Sequence, residues 1–76
     1  MIPKVGRIVH YVLPTGGRKG EHRPAIIIRL NEDQTTRLHV FVDNEDGAVF
    51  KAVPYLTNAF EGTPDVEGAW HWPERD

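Results

Sequence analysis

The residues of this chain best suited to chemistry are its aromatic rings, imidazoles and guanidinium groups. Trp70, His71 and Trp72 form a Trp-His-Trp run near the end of the chain. Successive side chains of a strand point to opposite faces, so both indoles share one face, about 6.5–7 Å apart. Such a pair can line one wall of a slot and stack on a purine base. The alternative is that Trp fills the core of a small barrel, as a large apolar side chain.

Further polar rings could bind the sugar of such a ligand. His10 and Tyr11 are consecutive, so a strand puts one ring on each face, where each could hydrogen bond a ribose or a base edge. The alternative is a solvent-facing His10 and a Tyr11 at the edge of the core. His71 adds a second imidazole, on the face opposite to the two indoles.

Three arginines could neutralise phosphate groups. Arg23 immediately precedes an apolar strand that would hold its guanidinium in place, as bidentate phosphate recognition requires. Its alternative role is an ion pair with Glu21, Glu74 or Asp76. Arg18 lies in the glycine-rich loop 14–22, which is either an anion cradle or a solvated loop. The predicted ligand-binding residues are Arg7, His10, Tyr11, Arg18, Arg23, Trp70, His71 and Trp72.

Catalytic and metal sites find little support in the sequence. The chain has no Cys and no Ser, and its threonines lack a recognisable base. The acid–base pairs worth testing are His71 with Glu74 and His10 with His71. The four histidines follow no metal-binding spacing, so a metal site would need them to converge in the tertiary structure. We therefore expect no enzyme, no cofactor and no metal.

Size and charge restrict the partners of the protein. Its 76 residues allow one domain over 1–76, and such a small core without disulfides favours a homo-oligomer. The net charge of -2 makes double-stranded DNA an unlikely partner. Residues 1–7 lack the apolar stretch of a signal peptide, and no apolar run approaches a membrane span. We expect a cytoplasmic protein that does not bind membranes.

Apolar positions recur with a period of two, which predicts strands. Residues 54–60 are assigned to an irregular connection or a single 3₁₀ turn. The second strand contains Ala25 to Ile28, apolar on both faces, so we expect it to be the most buried. The predicted strands are 6–13, 24–30, 36–42, 48–53 and a short one around Trp70–Trp72. Five short strands separated by turns indicate an all-β fold, a small five-stranded SH3-like or OB-like barrel.

Three segments carry a resemblance to a known group of proteins. They are 6–11 (GRIVHY), 22–27 (HRPAII) and 68–74 (GAWHWPE). In this order they resemble a group of small proteins encoded by tailed bacteriophages, in which similar pieces flank variable loops. The resemblance leaves 31–67 largely uncovered. It implies a phage accessory protein in an infected bacterial host, but no particular activity.

Other small phage β-proteins act as sponges for host immune nucleotide signals, an analogy of size and class. The leading hypothesis is therefore an anti-defence protein that binds a cyclic ADP-ribose variant or a cyclic oligonucleotide without turnover. A pocket at a subunit interface would supply the necessary concavity. One alternative is a protein-interaction module that docks on a host or phage protein through its aromatic face. The other is a single-stranded nucleic-acid binder.

Overall fold

The described residues form five antiparallel strands, which make up a strongly curled half-barrel. The structure, a computed structural model, describes residues 2–16, 18–42 and 55–73. The strands are β1 (Ile8–Val12), β2 (His22–Leu30), β3 (Thr36–Val40), β4 (Tyr55–Ala59) and β5 (Trp70–His71). They form one sheet in the order β4-β3-β2-β1-β5. The predicted all-β, five-stranded class is confirmed, and the described residues include no helix that could cross a membrane.

The alternation of side chains sorts the residues of the sheet onto two faces. The face inside the curl, here called the inner face, holds the core. The face on the other side is called the outer face, and cross-strand partners share a face because antiparallel strands pair in register. The core residues are Val9, Tyr11, Leu13, Ala25, Ile27, Leu38, Val40, Ala59 and Trp70.

The two edges of the sheet meet just after β4. Glu61 forms a parallel bridge with Trp70 of β5. The amide of Gly62 donates to the carbonyl of Trp70 at 2.8 Å, and the amide of Trp70 donates to the carbonyl of Phe60 at 3.1 Å. These bonds bring the β4 and β5 edges together, which explains the strong curl and buries Trp70.

One strand lies where the sequence predicted an irregular connection or a 3₁₀ turn. Residues 55–59 pair with all of β3, from Val40 opposite Tyr55 to Thr36 opposite Ala59. Tyr55, Thr57 and Ala59 are more buried than the two residues between them, so the segment alternates as a strand. The prediction for 54–60 was therefore wrong over 55–59. The predicted strand 48–53 lies outside the described residues.

The second strand also differs from its prediction. β2 begins at His22, so Pro24 lies inside the strand rather than at its first position. Ile28 is 42% exposed, and Ala25 and Ile27 are the only buried residues of β2, whereas three of the five residues of β3 are buried. The expectation that the second strand is the most buried was therefore wrong. The outer face of the half-barrel is open to solvent here, and a register shift between Ile27 and Arg29 interrupts the pairing with β3. The apolar run 25–28 therefore contributes buried residues to one face of the sheet only.

Gly62 allows the close approach of the segments that close the curl. A Cβ at this position would lie 2.9 Å from the Cβ of Ala69, too close for two carbon atoms. We expect Gly62→Ala to destabilise the protein by about 1–3 kcal/mol, as overpacking does. Denaturant unfolding followed by Trp fluorescence measures this cost. Adding Ala69→Gly removes the opposing methyl group and should recover part of the loss; strictly additive effects of the two substitutions would contradict the explanation.

Candidate metal centre

The pairing of β1 with β5 brings two histidines together. His10 lies directly opposite His71, and Tyr11 lies directly opposite Trp70. Since Tyr11 and Trp70 are core residues, the two imidazoles occupy the outer face. Their ring centroids are 5.6 Å apart, with the rings nearly perpendicular.

A third histidine reaches the same place from β2. His22 lies opposite Val12, and Pro24 lies opposite His10. His22 is therefore the diagonal neighbour of His10, a separation that long or aromatic side chains can span. Its ring centroid is 4.7 Å from that of His71 and 6.3 Å from that of His10. One ring nitrogen from each of the three residues lies within 4.8 Å of the other two.

The three imidazoles differ in their exposure to solvent. His71 is 4% exposed, His10 is half-buried and His22 is exposed. The cluster therefore has a closed side at His71 and an open side at His22. A ligand would have to enter from the side of His22.

The ring of His22 is oriented by a backbone contact. Its Nε2 atom lies 2.9 Å from the carbonyl oxygen of Pro64. Because a carbonyl oxygen only accepts, Nε2 is the donor, and a neutral ring then carries its lone pair on Nδ1. Metal-binding histidines usually donate their second ring N–H in this way, which determines the tautomer and the direction of the ring.

The arrangement can hold a transition-metal ion. Zn²⁺ binds neutral imidazole at about 2.0–2.1 Å, so two nitrogens in a tetrahedral site lie about 3.4 Å apart. Nitrogens within 4.8 Å of one another reach that spacing by moving together by about 1.5 Å at most. Three protein ligands leave the fourth position of a tetrahedral ion open.

The two indoles lie away from this cluster. Trp70 is 1% exposed in the core, and the partly buried Trp72 packs against the core with its ring 5.4 Å from that of Trp70. Within the described residues, neither indole N–H has a hydrogen-bond acceptor. Trp70 is therefore a core residue, the alternative to the predicted stacking role. Trp72 retains a partly accessible ring.

Tyr11 also belongs to the core, where it is 3% exposed. Burial, followed by its interaction with Tyr55, raises the pKa of Tyr11 from 10.0 to about 12, and a hydrogen bond from Thr57 partly offsets this. The phenol is thus sealed on the inner face, across the sheet from the histidines.

Two of the three predicted arginines meet at one carboxylate, and the third lies near Trp72. Arg23 makes a 2.7 Å ion pair with Glu21, and Arg18 contacts the other oxygen of the same carboxylate at 3.2 Å. Hydrogen bonding to Arg23, more than the contact with Arg18, lowers the pKa of Glu21. The guanidinium carbon of Arg7 lies 5.9 Å from the centre of the Trp72 ring. The predicted ligand-binding residues therefore divide between the two faces, and only His10 and His71 join the histidine cluster.

His22 is the site residue that sequence reasoning missed. Positions 10, 22 and 71 match no metal-binding spacing. The residues meet only because β1 is flanked by β2 and β5. The sequence did show that His10 and His71 lie on the face of their strands opposite to the neighbouring aromatic residues. Without the strand order, that alternation does not tell which histidines meet.

The three segments on which the predicted resemblance rests contain most of β1, most of β2 and all of β5, and each carries one histidine of the cluster. Comparison with protein families, curated proteins and solved structures finds no match to this chain. The resemblance therefore stays a prediction. The function has to be inferred from the geometry of the site.

The pKa of Tyr11 predicts how stability depends on alkaline pH. The folded value of about 12 exceeds the ordinary 10.0, so this contribution to stability is complete below pH 10 and is lost as pH rises through 12. The loss should be roughly 2–3 kcal/mol. Urea unfolding across this range should show a steep decline that Tyr11→Phe makes shallower. Parallel declines in the two proteins would show that Tyr11 titrates normally in the folded state.

Proposed function

We propose that this protein binds a divalent transition-metal ion, Zn²⁺ foremost, through His10, His22 and His71. The observation that supports the proposal is the convergence of three imidazoles from three adjacent strands on one face. Imidazole is a ligand that suits Zn²⁺ as well as Cu²⁺ and Ni²⁺. A set of three nitrogen ligands with an open fourth position is one of the common arrangements for Zn²⁺.

The composition of the cluster favours this role over simple packing. Where the fold needs only to fill space, on the inner face, it uses mainly aliphatic side chains such as Leu38 and Val40. His71 is nearly fully buried and lies beside two further imidazoles. A shared metal ion would engage all three rings at once.

A metal ion at this position would also strengthen the attachment of β5, the shortest described strand, to the sheet. β5 has two residues and pairs with β1 at only two positions. Bonds from its histidine to an ion shared with β1 and β2 would add a link across three strands. Since the unfolded chain does not bring these residues together, metal binding stabilises the folded state.

Metal binding is tested by calorimetric titration of the whole chain with Zn²⁺. We expect one ion per chain and at least a tenfold weaker affinity for His22→Ala, whose exposed position makes misfolding a minor concern. His39→Ala is the matched control, because His39 stacks on Phe41 outside the cluster. At Zn²⁺ concentrations 100-fold above Kd, stability should rise by about 2.7 kcal/mol, which for this size raises Tm by about 10 °C or more.

Two results would reject the metal site. One is the absence of saturable Zn²⁺ binding by the folded protein. The other is equal affinity in the wild type, His22→Ala and His39→Ala, which would place the ion elsewhere. Circular dichroism of each variant without metal establishes that the strands are intact before the affinities are compared.

We retain nucleotide sequestration as a second proposal, supported by the contact between Arg7 and Trp72. A guanidinium near a partly accessible indole offers both a cation for a phosphate and a ring for stacking. The other six predicted residues lie in other arrangements: Tyr11 and Trp70 are buried in the core, Arg18 and Arg23 share Glu21, and His10 and His71 belong to the histidine cluster. The proposed nucleotide site is therefore smaller than the one predicted from sequence.

Nucleotide binding is tested by quenching of Trp fluorescence with cyclic ADP-ribose and a cyclic dinucleotide. We expect saturable quenching that Trp72→Ala or Arg7→Ala weakens at least tenfold, since stacking contributes about 1–3 kcal/mol per base. Arg29→Ala, an exposed arginine on β2, is the control. Ligand recovered intact after heat denaturation supports sequestration without turnover. Converted ligand indicates an enzyme, and the absence of quenching by either probe rejects the proposal.

A further inference from the structure

We infer that the metal-loaded histidine cluster binds a phosphate group at its open coordination position. The inference rests on the metal-binding function proposed above and concerns the ligand that completes the site. It follows from the charge of the ligand set, from the uneven burial of the three histidines and from the position of the Pro64 carbonyl.

The ligand set carries no negative charge. The converging group consists of three histidines, and no carboxylate belongs to it among the described residues. A metal ligand must be a neutral imidazole, so a divalent ion held by three of them keeps its full double positive charge. In a partly buried site such a charge is costly unless an anion accompanies it.

The open side of the cluster determines where the anion enters. His71 closes one side, since it is 4% exposed, whereas His22 is exposed. The carbonyl of Pro64 accepts from Nε2 of His22, which leaves Nδ1 as the nitrogen of this ring that can bind an ion. The fourth position is thus approached from solvent past His22, and no rearrangement of the core is needed for a small anion to reach it.

Charge matching favours phosphate over a carboxylate anion. A phosphate monoester carries about -1.5 to -2 charges at pH 7 and offers three acceptor oxygens. It can therefore neutralise a divalent ion, whereas a carboxylate neutralises half of the charge. The chain itself has a net charge of -2, so it has no general attraction for phosphate without the ion. Phosphate binding should accordingly depend on the metal.

Metal-bound water is the natural competitor of the phosphate. A zinc ion held by three protein ligands would lower the pKa of a bound water to about 7, so hydroxide would compete for the open position increasingly as pH rises. Phosphate affinity should therefore fall as pH increases above about 7. This pH dependence distinguishes coordination to the ion from a contact with surface lysines or arginines, which stay charged in that range.

The experiment uses the whole chain loaded with one equivalent of Co²⁺, whose visible spectrum reports its coordination. Inorganic phosphate, adenosine monophosphate and acetate are titrated separately, and the metal-free protein is titrated with phosphate by calorimetry. We expect saturable spectral changes with phosphate, at least tenfold weaker binding of acetate and no binding to the metal-free protein. The Co²⁺-loaded His39→Ala variant should behave as the wild type does.

The outcomes separate this inference from the metal site itself. Failure of both Zn²⁺ and Co²⁺ to bind would reject both the metal site and the phosphate inference. Co²⁺ binding with a spectrum that no anion changes would leave the metal site intact and overturn the inference, since the fourth position would then be filled by the chain. Equal affinity for acetate and phosphate would also overturn it. If phosphate and the nucleotide both bind, the site accepts esterified phosphate; if only inorganic phosphate binds, the ligand is the free ion.

Discussion

β1 hydrogen bonds to β2 along one side and to β5 along the other, and this double pairing positions every residue of the candidate site. The contact with β5 is short, but it is extended by bonds from the amide of Val12 to the carbonyl of Ala69 and from the amide of Gly68 to the carbonyl of Val12. A slip of one residue in either pairing would exchange the faces of all side chains on the strand. His71 would then point into the core and Trp70 toward the histidines.

The need to bury Trp70 and Tyr11 is what prevents that slip. Both are among the largest side chains of the chain, and both are almost completely buried on the inner face. Exposing them would cost several kcal/mol of apolar burial. The imidazole cluster on the outer face is thus maintained by packing on the inner face. The aromatic residues contribute to the site indirectly, through the register that they stabilise.

The proposed metal site and the proposed nucleotide site lie on different surfaces of the half-barrel. The histidine cluster lies on the outer face. Trp72 instead packs against the core on the inner face, and Arg7 lies near its ring. The two proposals therefore depend on different residues, and neither requires the other. A phosphate-bearing ligand is nevertheless compatible with both, because a metal ion and a guanidinium each attract the same group.

The sequence alone determined the all-β class and the face on which each residue of β1 and β5 lies, because period-two alternation is a local property. It also limited Arg23 to a phosphate contact or an ion pair, and Glu21 is its partner in the fold. Tertiary structure alone decided which strands are neighbours, and with that the meeting of His10, His22 and His71. The physical reason is that hydrogen bonding between backbones is the same for any pair of strands. Strand order is instead selected by how the whole set of side chains packs into one core, which no local pattern encodes.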